Sequence, residues 1–211
     1  MLKSLSLGGL IGGLVLFAWG VVSWMLLPWH LATLEKFKDE AKVAQALTAN
    51  ATKSGVYLLP NVHKHEPGMP EAKAKKAEAK GKKAEAKGKK AEAKRKKAEA
   101  EGMKRMIQGP VMFAAVNLQG TSGSGAALPI QLVTSIVSAF LATWLLMNTT
   151  LPGYWPRVGF LVVLALTAGV ICHVPDWNWW GFSASYTAVA FADLLIGWTL
   201  AGLVIAKVTS R

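Results

Sequence analysis

One cysteine, Cys172, among 211 residues leaves no partner for an intramolecular disulfide, so the fold does without one in any compartment. Charge is scarce as well, at 17% of residues, and its absence is concentrated. Leu5–Leu27, Ala126–Met147, Val158–Val174 and Thr187–Ala206 contain no Asp, Glu, Lys or Arg apart from Asp193. Four such runs point to a bilayer rather than a soluble core. The first makes roughly 34 Å of helix at about 1.5 Å per residue, enough for a hydrocarbon core of about 30 Å. Val158–Val174 lies near the lower limit of length and has to stand nearly upright. Also missing are a nucleotide-binding loop, a nucleophile motif and a paired set of histidines within the runs, so no catalytic residue, cofactor or metal site is assigned. His63, His65 and Glu66 form the one metal-like patch, on a loop, where such spacing is common.

What charge there is collects in one place. The chain carries a net +12, with 24 Lys and Arg against 12 acids. Residues 71–105 hold 15 of those bases and 6 of those acids, a net +9, which leaves +3 for everything else. Within that stretch Lys75–Gly102 is four copies of a seven-residue unit built on Lys-Lys-Ala-Glu-Ala. Seven is the coiled-coil period, but no large apolar residue occupies any position, so there is no seam to bury. Glu78 with Lys82, and the equivalent pairs after it, favour helix by a few tenths of a kcal/mol, while Gly81 and Gly88 each oppose it by about 1 kcal/mol. The expectation is a solvated, partly helical low-complexity insertion. It acts either as a spacer or as a polyanion-binding arm, over residues 73–105, for anionic lipid or lipopolysaccharide; nucleic acid is not expected.

The spans set the topology. The first run is too long for a cleaved signal peptide, and its exit through Pro28-Trp29-His30 lacks small residues, so it reads as an uncleaved anchor. Four spans put both termini and the linker 148–157 on one side, with Lys3, Arg157, Lys207 and Arg211 and no acid. The short turn Pro175–Tyr186 on the other side carries only Asp176. Short loops decide orientation, so both termini are expected in the cytoplasm of a bacterial inner membrane and residues 28–125 in the periplasm. The competing topology would place the Lys-rich stretch on the cytoplasmic face. Trp24, Trp29, Trp177, Trp179 and Trp180 form one aromatic belt, and Trp144, Tyr154 and Trp155 the other.

The extramembrane segment is expected to be a small α/β cap. Thr33 caps an amphipathic helix over 33–50, with Leu34, Phe37, Ala41, Ala44 and Leu47 on one face. Residues 55–60 and 110–118 read as two strands that pair across the insertion. The fold class is therefore a mainly α membrane protein: transmembrane helices over 5–27, 126–147, 158–174 and 187–206, with one helix and two strands outside.

Polar groups inside the spans are the candidate chemistry. Asp193 lies in the fourth span, where a carboxylate costs several kcal/mol unless paired or protonated. Gln131, His173 and Asp193 fall in the same half of the bilayer, with His30 at the exit of the first span. They form either interhelical hydrogen bonds or a site for a proton, metal or small ligand, and the expected contact is Asp193 with His173 or Gln131. Gly8, Gly9, Gly12 and Gly13, with Gly197 on the fourth span, are packing positions that serve either the bundle itself or a homo-oligomer.

Trp24-Met25-Leu26-Leu27-Pro28-Trp29-His30, Gly55-Val56-Tyr57-Leu58-Leu59-Pro60 and the stretch from Trp177 through Ala192-Asp193-Leu194 to Trp198 resemble a family of small four-span bacterial inner-membrane proteins to which no activity is attached. The likeness covers roughly residues 5–62 and 108–206 and implies location and span count only. The Lys/Ala/Glu repeat is similar in composition to the rods of Tol-type periplasmic proteins. The expected function is a non-enzymatic accessory, scaffolding or envelope-interaction protein with the bilayer and a membrane protein as partners. The alternative is a small transporter or ligand- or proton-binding subunit using Asp193.

Overall fold

The computed structural model describes residues 2–61, 100–121 and 124–210, together with 93, 96 and 97; most of the Lys-rich repeat and the His63–His65 patch lie outside them. Four stretches, Leu2–Leu26, Gly125–Met147, Tyr154–Trp180 and Ala184–Thr209, are helices long and apolar enough to cross a membrane. The chain is thus a multi-pass, mainly α membrane protein with a small two-stranded antiparallel sheet. It divides into two units, residues 1–50 with 119–211, and residues 51–118.

The first unit holds α1 (Leu2–Val21), α2 (Glu40–Asn50), α3 (Ser124–Met147), α4 (Tyr154–Trp180) and α5 (Ala184–Thr209). The helices overrun the uncharged cores expected for them, because a helix continues past the hydrocarbon as long as its backbone can bond to itself. The third is the clearest correction. Pro175 does not end it at 174: the helix passes through Pro175 and Asp176 to Trp180. A proline inside a helix removes one N–H, but the chain still closes α4 by turning at Gly181. Gly181 takes φ 76°, and Phe182 N–H reaches back to Asp176 O at 3.3 Å. The turn shrinks to Gly181–Ser183, and Ser183 Oγ caps α5 by accepting from Tyr186 N–H at 3.1 Å.

The four long helices pack as a row: α3 on α1, α1 on α5, α5 on α4, with little contact of α3 with α4 or α5. Glycine makes the first two contacts close. A Cβ on Gly8 would stand 2.6 Å from Thr143 Cγ2, and on Gly13 2.5 Å from Ile136 Cα, so α1 and α3 touch through backbone. On Gly12 it would stand 2.7 Å from Ile205 Cδ1 of α5. All four glycines are buried and meet α3 or α5 of the same chain. The buried core, Ala139, Ala142, Leu146, Leu161, Ala201 and Ile205, occupies the half that holds both termini. Arg157 locks that half. Its Nε donates to Leu151 O at 3.2 Å and its guanidinium also donates to Thr209 O, while Tyr154 OH donates to Leu203 O at 3.0 Å.

The helix expected over 33–50 begins only at Glu40. Thr33 is not its cap, because the Thr33 hydroxyl donates to His30 O at 2.7 Å and closes a 3₁₀ turn, Leu31–Thr33. Asp39 starts α2 instead, accepting from Lys42 N–H at 3.0 Å. That backbone bond, and then the Lys42 ammonium, hold the Asp39 carboxyl below its ordinary range.

In the second unit β1 (Gly55–Leu59) pairs antiparallel with β2 (Met112–Val116), Tyr57 opposite Ala114. The strands stop short of the expected 55–60 and 110–118: at one end Pro60 and Pro110 have no N–H to give a ladder, and at the other Asn117 and Leu118 leave it for the Ser54 side chain. Both prolines follow cis peptides. Ser54 closes the open end: its hydroxyl donates to Asn117 Oδ1 at 3.2 Å and accepts from Leu118 N–H at 3.1 Å. Residues 100–108 are helical.

Candidate functional site

Pro28 creates the site. Having no N–H, it cannot extend α1, and it drives Leu27 out of helical conformation, to φ −91° and ψ 136°. The last turn before it widens into a π turn, Val22–Leu26, closed by Leu27 N–H on Val22 O at 3.0 Å. In that spacing Ser23 O would need the N–H of residue 28, which is the proline. The Trp29 indole supplies it: Nε1 donates to Ser23 O at 3.1 Å and to Ser23 Oγ at 3.0 Å. Pro28 O then accepts from Ala32 N–H at 2.9 Å and His30 O from Thr33 N–H at 3.1 Å. The chain doubles back and lays His30 against α1. The imidazole is 3% exposed, stacked on Trp24 at 3.9 Å between centroids and met edge-on by Trp29 at 5.5 Å.

Asp193 comes to this knot from α5. Its Oδ1 accepts from Trp19 Nε1 at 2.6 Å, its backbone carbonyl accepts from the same N–H at 3.1 Å, and its Oδ2 lies 3.5 Å from His30 Nε2. Gly197, one turn on, permits the approach, since a Cβ there would stand 2.8 Å from Trp19 Cδ1. Ser23 Oγ lies 3.0 Å from the same His30 Nε2. Hydroxyl and carboxylate therefore converge on one ring nitrogen. A proton on Nε2 serves both oxygens, so imidazole, carboxylate and hydroxyl can hold one proton among them. A nucleophile relay needs the two oxygens on opposite nitrogens of the ring. Ser23 Oγ is also buried and already accepts from Trp29.

Beside the pair a cleft of about 580 Å³ runs between α1, α3 and α5, in the half of the helix row away from the packed core. Asp193, Trp19 and Trp24 line it on one side and Gln131, Ser135 and Ser138 of α3 on the other. It exists because α3 packs closely on α1 only at the glycine end of α1; beyond Gly13 no small residue of α1 lines the cleft except Gly20.

Neither expected partner of Asp193, Gln131 or His173, bonds to it. His30 meets it. Gln131 stands on the α3 wall of the same cleft and makes no hydrogen bond to it. His173 packs edge-on against Phe191, with centroids 6.5 Å apart. Phe191 and Asp193 are two residues apart on a helix, roughly 200° around its axis. A side chain of α4 that meets the first is therefore turned from the second. Trp19 and Ser23 are additions to the site. A signal for them existed, because Gly12, Leu16, Trp19 and Ser23 follow at helical spacing on the stripe that Gly8 begins. Trp24 and Trp29, expected as belt residues, also build the site. Among the described residues no group of three or more His, Cys, Asp or Glu could hold a metal ion. No protein-family model, curated protein or solved structure matches the chain.

Proposed function

We propose that this is an inner-membrane protein, both termini cytoplasmic, that binds a small ligand or proton in the cleft beside Asp193 and performs no covalent chemistry. One observation carries the reading: a carboxylate, backed by a buried imidazole 3.5 Å behind it, stands at the wall of a mostly apolar cleft of about 580 Å³ with a few hydroxyl and amide groups opposite. Binding cavities for small molecules are typically about 300–1,000 Å³, mainly apolar, with few fixed polar groups. Ionisable side chains within spans favour ligand or proton pathways. The convergence of both oxygens on His30 Nε2 speaks against a hydrolytic relay.

The test is water access. In a Cys172→Ala background, a cysteine at Ser138 on the cleft wall should react with a membrane-impermeant thiol reagent in lipid nanodiscs. A cysteine at Val137, on the adjoining exposed face of α3, should not. Equal reactivity at the two positions would mean that lipid fills the cleft and that the reading is wrong. In the same background, intact cells should be labelled at Gly88→Cys and spared at Ser210→Cys if the termini are cytoplasmic.

A second reading, an accessory or scaffolding protein, draws support from the mutual contacts within the knot. Trp19, Ser23, Trp29, His30 and Asp193 hold one another, as groups that only tie down the exit of α1 would. It requires Asp193→Asn to leave both assembly and ligand uptake intact.

A further inference from the structure

We infer that the cleft takes a free, monovalent organic cation with an apolar body, its charge set against Asp193. The inference rests on the cleft being a binding site, as proposed above. It begins from the charge balance of the walls. Of the described residues that line the cleft, Asp193 is the only one with an ionisable side chain, and no Lys or Arg reaches it. Its carboxylate accepts one side-chain hydrogen bond, from Trp19 Nε1, and lies 3.5 Å from His30 Nε2, where a carboxylate has about four acceptor positions. Its side chain remains 19% exposed.

The opposite wall carries Gln131 and Ser138, which can donate or accept, and two hydroxyls that can only accept. Thr134 and Ser135 spend their hydroxyl protons inside α3, on Ile130 O at 2.8 Å and Gln131 O at 2.9 Å. What they offer the cleft is oxygen lone pairs. The indole N–H nearest the acid, that of Trp19, is already used by it. A negative charge and acceptor oxygens in a poorly solvated site repel an anion and favour a cation. Trp19, Trp24 and Trp198 add aromatic surface of the kind that attracts organic cations within about 6 Å. An inorganic ion fits less well, because a hard cation takes about six oxygens and most of this lining is hydrocarbon.

The experiment uses the full chain in maltoside micelles and two probes of the same shape and opposite charge, tetraphenylphosphonium and tetraphenylborate. Equilibrium dialysis should find saturable phosphonium binding to the wild type, weakened about tenfold or more in Asp193→Asn, with no saturable borate binding. Asp193→Asn keeps an oxygen for Trp19, and helical content measured alongside excludes misfolding as the cause. Borate bound as well as phosphonium, or phosphonium held equally by wild type and Asp193→Asn, would overturn the cation class and leave a cleft that binds without regard to charge. Absence of phosphonium binding while Ser138→Cys still reacts from water would likewise overturn the cation class alone. Displacement of phosphonium by short-chain phosphatidylethanolamine, but not by phosphatidylglycerol, would make the occupant a lipid headgroup and overturn the free cation.

Discussion

Replacing Gly13 by alanine adds one methyl group and should still break the backbone-to-backbone approach of α1 and α3. The new Cβ would stand 2.5 Å from Ile136 Cα, where carbon atoms ordinarily rest about 3.5–4.0 Å apart. The shortfall is roughly 1.0–1.5 Å, and the obstacle is backbone, which cannot swing aside as a side chain would. α1 and α3 must separate by about that distance along an interface that also carries Gly8 against Thr143. Overpacking of this kind costs about 1–3 kcal/mol. Gly20 lies on the same helix with nothing within 4 Å of the position its Cβ would take. Alanine there should be neutral or stabilising by up to about 1 kcal/mol, through helix propensity alone. The two variants therefore differ by about 1–4 kcal/mol although the chemical change is identical. Unfolding purified protein with sodium dodecyl sulfate in mixed micelles, followed by tryptophan fluorescence, measures that difference. Equal midpoints for Gly13→Ala and Gly20→Ala would refute the claim that the glycines hold α1 on α3.

Asp193→Leu should destabilise the same unfolding transition by only about 1–2 kcal/mol, because Trp19 Nε1 keeps the residue-193 carbonyl at 3.1 Å, and Asp193→Asn by less than about 1 kcal/mol; a loss far above that would mean the carboxylate itself holds the bundle. Arg157→Met removes the donors to Leu151 O and Thr209 O and should lower the unfolding free energy by about 2 kcal/mol, with the C-terminal turn of α5 exchanging amide hydrogens faster; unchanged exchange there would sink the proposed lock. Because the Asp39 carboxyl titrates below its ordinary range, its support of α2 is complete above that range and is lost as pH falls through the lowered value. The Lys42 amide resonance should move with that titration, and in Asp39→Asn it should not.

Asp193 could be singled out from one residue's depth in an apolar run, whereas its partners could not. The Trp19 bond spans 174 positions in sequence, and no local pattern reports which face of α1 meets which face of α5. His30 was in view only as a polar group near a span end. Its burial depends on Pro28 widening the preceding turn and on Trp29 capping the carbonyl that this leaves free, a chain of local causes with a non-local result. His173 went astray for the complementary reason: it shares a depth with Asp193, but depth carries no information on direction around the helix axis.

The sequence by itself determined the class of molecule, because crossing a bilayer is a local requirement. Each span must be apolar over its length and must satisfy its own backbone, and four stretches do both. The two strands, with Gly55–Leu59 and Met112–Val116 close to the expected ranges, were legible on the same local grounds. Only the tertiary structure decided that the four helices stand in a row, that the glycine end packs shut and the other end opens into a cleft, and that His30 rather than His173 meets Asp193. Those outcomes turn on which faces meet at distances of a few ångströms, and the hydrophobic pattern that inserts a helix into lipid is nearly the same on every face.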